Sequence, residues 1–198
     1  VLNLSNVYQN TGRIDQAIEL LEKTIQKEKL TNAQKGLLYN NLGSNYFLNT
    51  RATKMKSYAF ENAEKAFLKA VLLLEREPSQ HEALTNSYRN LCKLNLERKN
   101  KQMALHYFEK AKHTFEKIPN PNPRKKAQFY FDEANMLFKQ REITASSLAI
   151  ERVFKTLIPA YSSAKTVLPN QSALYAETIV LDGLDLRAEL FVTQSQPK

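Results

Sequence analysis

Few side chains in this sequence have the chemistry for nucleophilic or metal-dependent catalysis. Its 198 residues include one cysteine, Cys92, and three histidines, His81, His106 and His113. A catalytic thiol needs an activating imidazole in contact with it, and two histidines that share one metal ion on a helix are commonly four residues apart. Cys92 lies where equivalent segments of the chain have Gly or Ser, and His106 and His113 are seven residues apart. We therefore expect Cys92 to pack between helices, the histidines to lie at the surface, and the chain to have neither catalytic residues nor a metal site.

The composition argues against other classes of function. The four glycines are never closer than seven residues, so no glycine-rich loop is present to hold the phosphates of a nucleotide. A single cysteine excludes an intrachain disulfide and favours the cytoplasm. No apolar run approaches the length of a membrane span. We expect a protein that is not an enzyme, has no cofactor and does not bind a membrane.

The chain is basic, and the excess positive charge lies in its middle. The net charge is +9, and residues 51–150 contribute +8 of it, with basic clusters at 98–101, 110–113 and 124–126. Three interpretations are open: a solvated surface, a site for an acidic protein or peptide, or a site for nucleic acid. Proteins that bind RNA usually place exposed aromatic side chains among the basic ones. Because the aromatic residues here have the spacing of a helical core, the sequence disfavours nucleic acid.

Small and bulky residues recur along the chain with helical spacing. The clearest segment contains Leu42, Gly43 and Tyr46, followed by Ala63, Phe67 and Ala70. Equivalent positions of the two flanking segments are Leu4, Tyr8, Gly12, Ala17 and Leu21, then Leu91, Cys92, Asn95, Ala104, Phe108 and Ala111. Spacings of three, four and seven residues place such side chains on one face of each helix. The small residues then allow two helices to approach closely, and the bulky residues fill the space beside them.

This pattern resembles the tetratricopeptide repeat (TPR), a helix–turn–helix unit that stacks into a solenoid. The resemblance implies an all-α, right-handed TPR-like solenoid of about four helix pairs plus a C-terminal helix, with residues 1–198 in a single array. The approximate repeats are 1–30, 31–78, 79–119 and 124–161, and the last helix is 171–193. Ala17 and Ala63 are 46 residues apart, more than one TPR unit, so we expect an insertion at about 51–57 between the helices of the second repeat. A further loop is expected over 162–170, after Pro159.

The first helices of a TPR array line its concave groove, so the resemblance also implies a scaffold that binds a peptide or protein there. The predicted groove residues are Asn6, Asn41, Arg89, Asn90, Lys93 and Asn135. A carboxamide both donates and accepts hydrogen bonds, so it pairs with a peptide backbone in either direction. Arg89 and Lys93 would select acidic side chains. The open alternative is that these asparagines form an ordinary solvated surface.

The C-terminal stretch gives a second resemblance. Residues 169–177 and 181–189 resemble a segment of bacterial proteins in which a TPR array precedes a CHAT domain, a caspase-like cysteine protease. This implies an alternative function, in which the chain is the regulatory or sensor array of a CHAT-type protease whose catalytic domain lies outside these residues.

Overall fold

The computed structural model describes residues 1–27, 29–52, 56–158, 161 and 178–195, and its regular structure within these ranges is entirely helical. The helices are α1 (Leu2–Asn10), α2 (Ile14–Lys27), α3 (Asn32–Ala52), α4 (Lys56–Leu74), α5 (His81–Glu97), α6 (Lys101–Phe115), α7 (Pro123–Lys139), α8 (Ile143–Leu157) and α9 (Thr178–Ser195). A single 3₁₀ turn, Pro78–Gln80, precedes α5. For the described residues, the prediction of nine helices without β-structure is confirmed.

Local sequence signals explain where several of these helices begin. Thr31 and Gln34 form a capping box at the start of α3, in which the Thr31 hydroxyl accepts from the Gln34 N–H at 3.2 Å and the Gln34 side chain accepts from the Thr31 N–H at 2.9 Å. The side chain of Asn100 accepts from the Met103 N–H at the start of α6. Asn122 caps α7, and Pro123 follows at the first helical position, where its missing N–H costs nothing.

The predicted core register is confirmed in the second helix of each pair. Ala17, Leu21, Ala63 and Phe67 are fully buried, and Ala104, Phe108 and Ala111 on α6 are buried in the same way. Gly43 shows why a small residue is needed opposite Phe67: a Cβ atom built on Gly43 would lie 2.6 Å from the Phe67 ring. Leu4 differs from the expectation, since it is 45% exposed whereas the neighbouring Ser5 is buried. Helix α1 packs mainly against α2 and α3, and Leu4 lies on its remaining face.

The extra residues of the second repeat lengthen its helices. We expected an insertion at 51–57 between the two helices, but Arg51 and Ala52 belong to α3, and Lys56 and Ser57 belong to α4. These two helices contain 21 and 19 residues, and α9 is described only from Thr178. The expectations for Pro159, the loop 162–170 and the start of the last helix at 171 lie outside the described residues.

Consecutive helices pack as hairpins, and the contacts divide the chain into two units, Val1–Ile118 and Pro119–Lys198. In the first unit, α1 packs on α2, α3 on α4 and α5 on α6, and the first helices also touch one another, α1 with α3 and α3 with α5. In the second unit, α7 packs on α8, and both contact α9.

Three of the hairpins share one turn geometry. Gly12, Lys99 and Arg141 each follow the first helix of a pair and have positive φ angles of 75°, 60° and 68°. In each turn the next residue donates its N–H to a carbonyl five residues back; the bond from Asn100 to Asn95, for example, is 2.9 Å. This is the closing bond of a left-handed helix terminus. Only Gly12 marks the turn in the sequence, because Lys and Arg are not residues that favour this conformation.

Candidate functional site

Side-chain amides connect the three first helices of the first unit. Asn41 on α3 donates to the side-chain oxygen of Asn6 on α1 at 3.3 Å. Also on α3, Asn40 accepts from the Asn90 amide of α5 at 3.1 Å and from the Ser87 hydroxyl of α5 at 3.1 Å. The result is a row of hydrogen bonds that crosses two helix–helix boundaries, which we call the amide ladder and define by Asn6, Asn40, Asn41, Ser87 and Asn90.

The amide ladder is exposed at its α1 end and more buried on α3 and α5. Asn90 also lies 3.4 Å from the hydroxyl of Ser44, the residue one turn after Asn40. Asn45 is fully buried behind the ladder and donates to the Asn41 carbonyl at 2.9 Å. Asn6 is exposed, whereas Asn40, Asn41 and Asn90 are half-buried. The asparagines are therefore partly engaged with one another across helix boundaries, and Asn40, which is absent from the predicted groove set, accepts two of the bonds.

The two predicted basic groove residues flank the ladder on α5. Arg89 precedes Asn90, is half-buried and donates to the Asn86 side chain at 2.8 Å. Lys93 lies one turn after Arg89 and is also half-buried. Arg89 and Lys93 lie on the same helix as Ser87 and Asn90. Positive charge therefore lies next to the side-chain amides of the first unit.

Asn135 lies in the second unit. It is half-buried on α7, the first helix of its pair, and its amide donates to the Phe131 carbonyl one turn earlier at 3.2 Å. Like the other predicted groove residues, Asn135 lies on the first helix of a pair. Its membership of the groove stays a prediction.

Cys92 is buried, as expected of a packing residue, with 4% of its surface exposed. The structure brings together residues that the sequence kept apart: all three histidines line one cleft of about 610 Å³ in the first unit. His81 comes from the start of α5, and His106 and His113 come from α6. The expectation of surface histidines agrees with the structure, since His106 and His113 are exposed and His81 is half-buried. The seven-residue spacing of His106 and His113 gives no sign that α5 adds the third imidazole.

The floor of this histidine cleft is apolar and its wall is charged. Leu74, Leu84 and Tyr88 are buried residues that line it. The Tyr88 hydroxyl donates to the carboxylate of Glu75, and the Lys110 ammonium lies 5.5 Å from the centre of the Tyr88 ring. Burial, together with the hydrogen bond and charge of Glu75, raises the pKa of Tyr88 well above its usual range. Tyr88 is therefore a neutral hydrogen-bond donor at physiological pH.

A similar tyrosine–carboxylate contact recurs one pair earlier. The Tyr46 hydroxyl of α3 donates to Glu22 of α2, and burial, followed by the Glu22 carboxylate, raises the pKa of Tyr46. In both cases the tyrosine of a first helix reaches the preceding pair, at Glu22 within α2 and at Glu75 directly after the end of α4. These contacts also connect successive helix pairs, but they use residues that do not belong to the amide ladder.

The described part of the chain has neither a cluster of metal-binding side chains nor a membrane-spanning helix. Within the described ranges, no group of three or more His, Cys, Asp or Glu side chains is placed to hold a metal ion. Among the described helices, none has both the length and the apolar character needed to cross a bilayer.

Comparison with known proteins supports the fold at a coarse level. No family model and no curated protein matches the chain. Among solved structures, the chain is similar to BtubC (BKLC) from P. vanneervenii, with a TM-score of 0.56 and 13% sequence identity over 98% of this chain and 80% of that chain. At this identity the likeness is one of fold, and it agrees with an all-α, repeat-like arrangement.

Proposed function

We propose that the chain is a protein-interaction module of TPR type, in which α1, α3 and α5 form a groove for a peptide or protein partner with acidic side chains. The observation that supports this most is the amide ladder, because it aligns polar side chains from three successive first helices. A peptide that runs across these helices would meet amides at each step.

The ladder leaves hydrogen-bonding capacity for a ligand. A carboxamide has two N–H donors and an oxygen with two lone pairs. Asn41 uses one donor toward Asn6, and Asn40 accepts two bonds at its oxygen. The bonds within the ladder fix the orientation of each amide, so the cost of ordering these side chains is met before a peptide binds.

The charge beside the ladder supports an acidic partner. Arg89 and Lys93 lie next to Asn90 on α5, in the half of the chain where the basic excess begins. Hydrogen bonds between ionised groups are stronger than neutral ones, so these two residues favour Asp, Glu or a terminal carboxylate at the end of the peptide that lies over α5.

The test uses peptides of one length whose net charge varies, titrated against the chain by fluorescence anisotropy. We expect acidic peptides to bind more tightly than neutral ones of matched composition. Asn41→Ala with Asn90→Ala should weaken binding at low and at high salt, because it removes hydrogen bonds. Arg89→Ala with Lys93→Ala should mainly lower the salt dependence, since attraction between solvent-accessible charges is screened over about 10 Å at 0.1 M salt.

The control is Arg124→Ala with Lys125→Ala, which removes the same charge from the exposed start of α7. Affinity should change little in this variant. If the doubly Asn-substituted protein keeps full affinity while the control loses it, the peptide binds elsewhere and the groove proposal is wrong.

A further inference from the structure

The histidine cleft gathers every imidazole of the chain into one site that the groove does not use. Its wall carries ionisable side chains from three elements of the first unit. The carboxylates are those of Glu75 and Glu77, which follow α4, and of Glu109 on α6. The ammonium groups are those of Lys110 and Lys117.

These groups give the cleft a charge that changes sign with protonation. With neutral imidazoles, three carboxylates face two ammonium groups, and one net negative charge remains. Three added protons would turn this into two net positive charges. Histidine is the side chain that most readily gains a proton on mild acidification, so a modest fall in pH adds positive charge to the cleft.

The imidazoles come from two helices and from different turns. His106 and His113 are about two helical turns apart on α6, and His81 lies at the start of α5, so positive charge added to them is spread along the cleft. Spread cations suit a ligand with several negative charges along its length. The apolar floor of Leu74, Leu84 and Tyr88 suits the aliphatic parts of such a ligand.

We infer that the histidine cleft is a second binding site, for an acidic peptide segment, and that it binds this segment on mild acidification and releases it near neutral pH. The inference is independent of the proposed groove, because it uses a different set of residues on α5 and α6 and the end of α4. The three glutamates oppose the acidic ligand while the imidazoles are neutral, and three imidazolium ions outweigh them after protonation.

The probe is a tetra-aspartate peptide, since aspartate has an ordinary pKa of about 3.9 and stays ionised at pH 5.5. Isothermal titration calorimetry should show a dissociation constant about tenfold lower at pH 5.5 than at pH 7.5. This ratio corresponds to a difference of about 1.4 kcal/mol in the free energy of binding. His81→Gln combined with His106→Gln and His113→Gln should remove this ratio. Because the proposed groove also favours acidic peptides, the ratio is measured as well in Asn41→Ala with Asn90→Ala, in which groove binding is weakened; the ratio should be kept there, which separates the cleft from the groove.

A second pair of variants tests the same charge balance by removing negative charge instead of imidazoles. Glu109→Gln removes a carboxylate from the cleft and should tighten binding at both pH values. Glu116→Gln, an exposed residue next to the end of α6 that does not line the cleft, is the matched control and should change nothing.

Nuclear magnetic resonance of the unmodified protein gives a direct readout. The imidazole signals of all three histidines should shift when the peptide is added at pH 5.5. Equal affinity at the two pH values, a pH dependence that survives in the triple histidine variant, or imidazole signals that do not move would each overturn the inference.

Discussion

The side-chain amide of Asn90 on α5 donates a 3.1 Å hydrogen bond to the side-chain oxygen of Asn40 on α3, 50 positions earlier in the chain. Ser87 donates to the same oxygen from the preceding turn of α5. The Asn40 side chain of α3 therefore accepts hydrogen bonds from two successive turns of α5. Asn40 consequently acts in the contact between successive helix pairs, in addition to any contact that the neighbouring Asn41 makes with a ligand.

This relationship predicts an energetic coupling between the two asparagines. Asn40→Ala and Asn90→Ala should each lower the free energy of unfolding, and the double variant should lose less than the sum of the two. The coupling should be about 0.5–1.5 kcal/mol, the usual net value of one such hydrogen bond. Urea denaturation of the four proteins in the cycle gives the value. Asn10→Ala, at an exposed position of α1, is the control and should leave the unfolding midpoint nearly unchanged.

The contact between Gly43 and Phe67 predicts a loss of stability from a substitution that helix propensity alone would favour. Alanine is better than glycine inside a helix by about 1 kcal/mol, but a Cβ at Gly43 would lie 2.6 Å from a ring that is fully buried. We expect Gly43→Ala to destabilise the first unit by about 1–3 kcal/mol through overpacking. In Gly183→Ala the Cβ would meet the Phe154 ring at 3.1 Å, and the loss should be smaller. A higher melting temperature for Gly43→Ala would show that α3 and α4 are not packed as closely as described.

The left-handed turns predict two stabilising substitutions. Lys99 and Arg141 have φ angles of 60° and 68°, a conformation that costs a non-glycine residue about 1–2 kcal/mol. Glycine avoids this cost but loses part of the gain through the flexibility of the unfolded chain. Lys99→Gly and Arg141→Gly should therefore each stabilise the protein by about 0.5–1 kcal/mol. Gly12→Ala introduces the same strain at φ 75° and should do the opposite, and thermal unfolding of the three variants measures both directions.

The tyrosine–glutamate contacts predict a loss of stability in alkali. The pKa values of Tyr46 and Tyr88 are raised above 10 in the folded protein. A raised pKa gives stability that is complete below the unfolded value of about 10 and disappears as the pH rises through the folded value. After allowance for solvent screening, each tyrosine should contribute up to about 1 kcal/mol to the loss between pH 9 and 11.

The measurement is urea denaturation across that pH range. Tyr46→Phe and Tyr88→Phe should lower the free energy of unfolding at pH 8, since each removes a hydrogen bond, and should make its decrease above pH 9 shallower. Tyr130→Phe, at a half-buried position in the second unit, is the control and should keep the slope of the unmodified protein. Equal slopes in all four proteins would contradict the assignment.

The sequence by itself determined the all-α class and the register of the core. The spacing of Ala63, Phe67 and Ala70 depends only on the helical repeat of 3.6 residues, and these residues are buried as predicted. Small residues such as Gly43 could also be placed from sequence, because close helix contact excludes side chains at such positions in any protein.

Other features depended on which helices meet in the tertiary structure. The pairing of Asn40 with Asn90 and the convergence of His81, His106 and His113 join residues that are far apart in sequence. Helical periodicity shows which residues share one helix face, but not which face of another helix lies opposite. The extra residues near position 51 illustrate the same limit, since a longer helix and a longer loop have the same residue count. In the structure these residues lengthen α3 and α4, because the hydrogen bonds of added helical turns are satisfied within the helix itself.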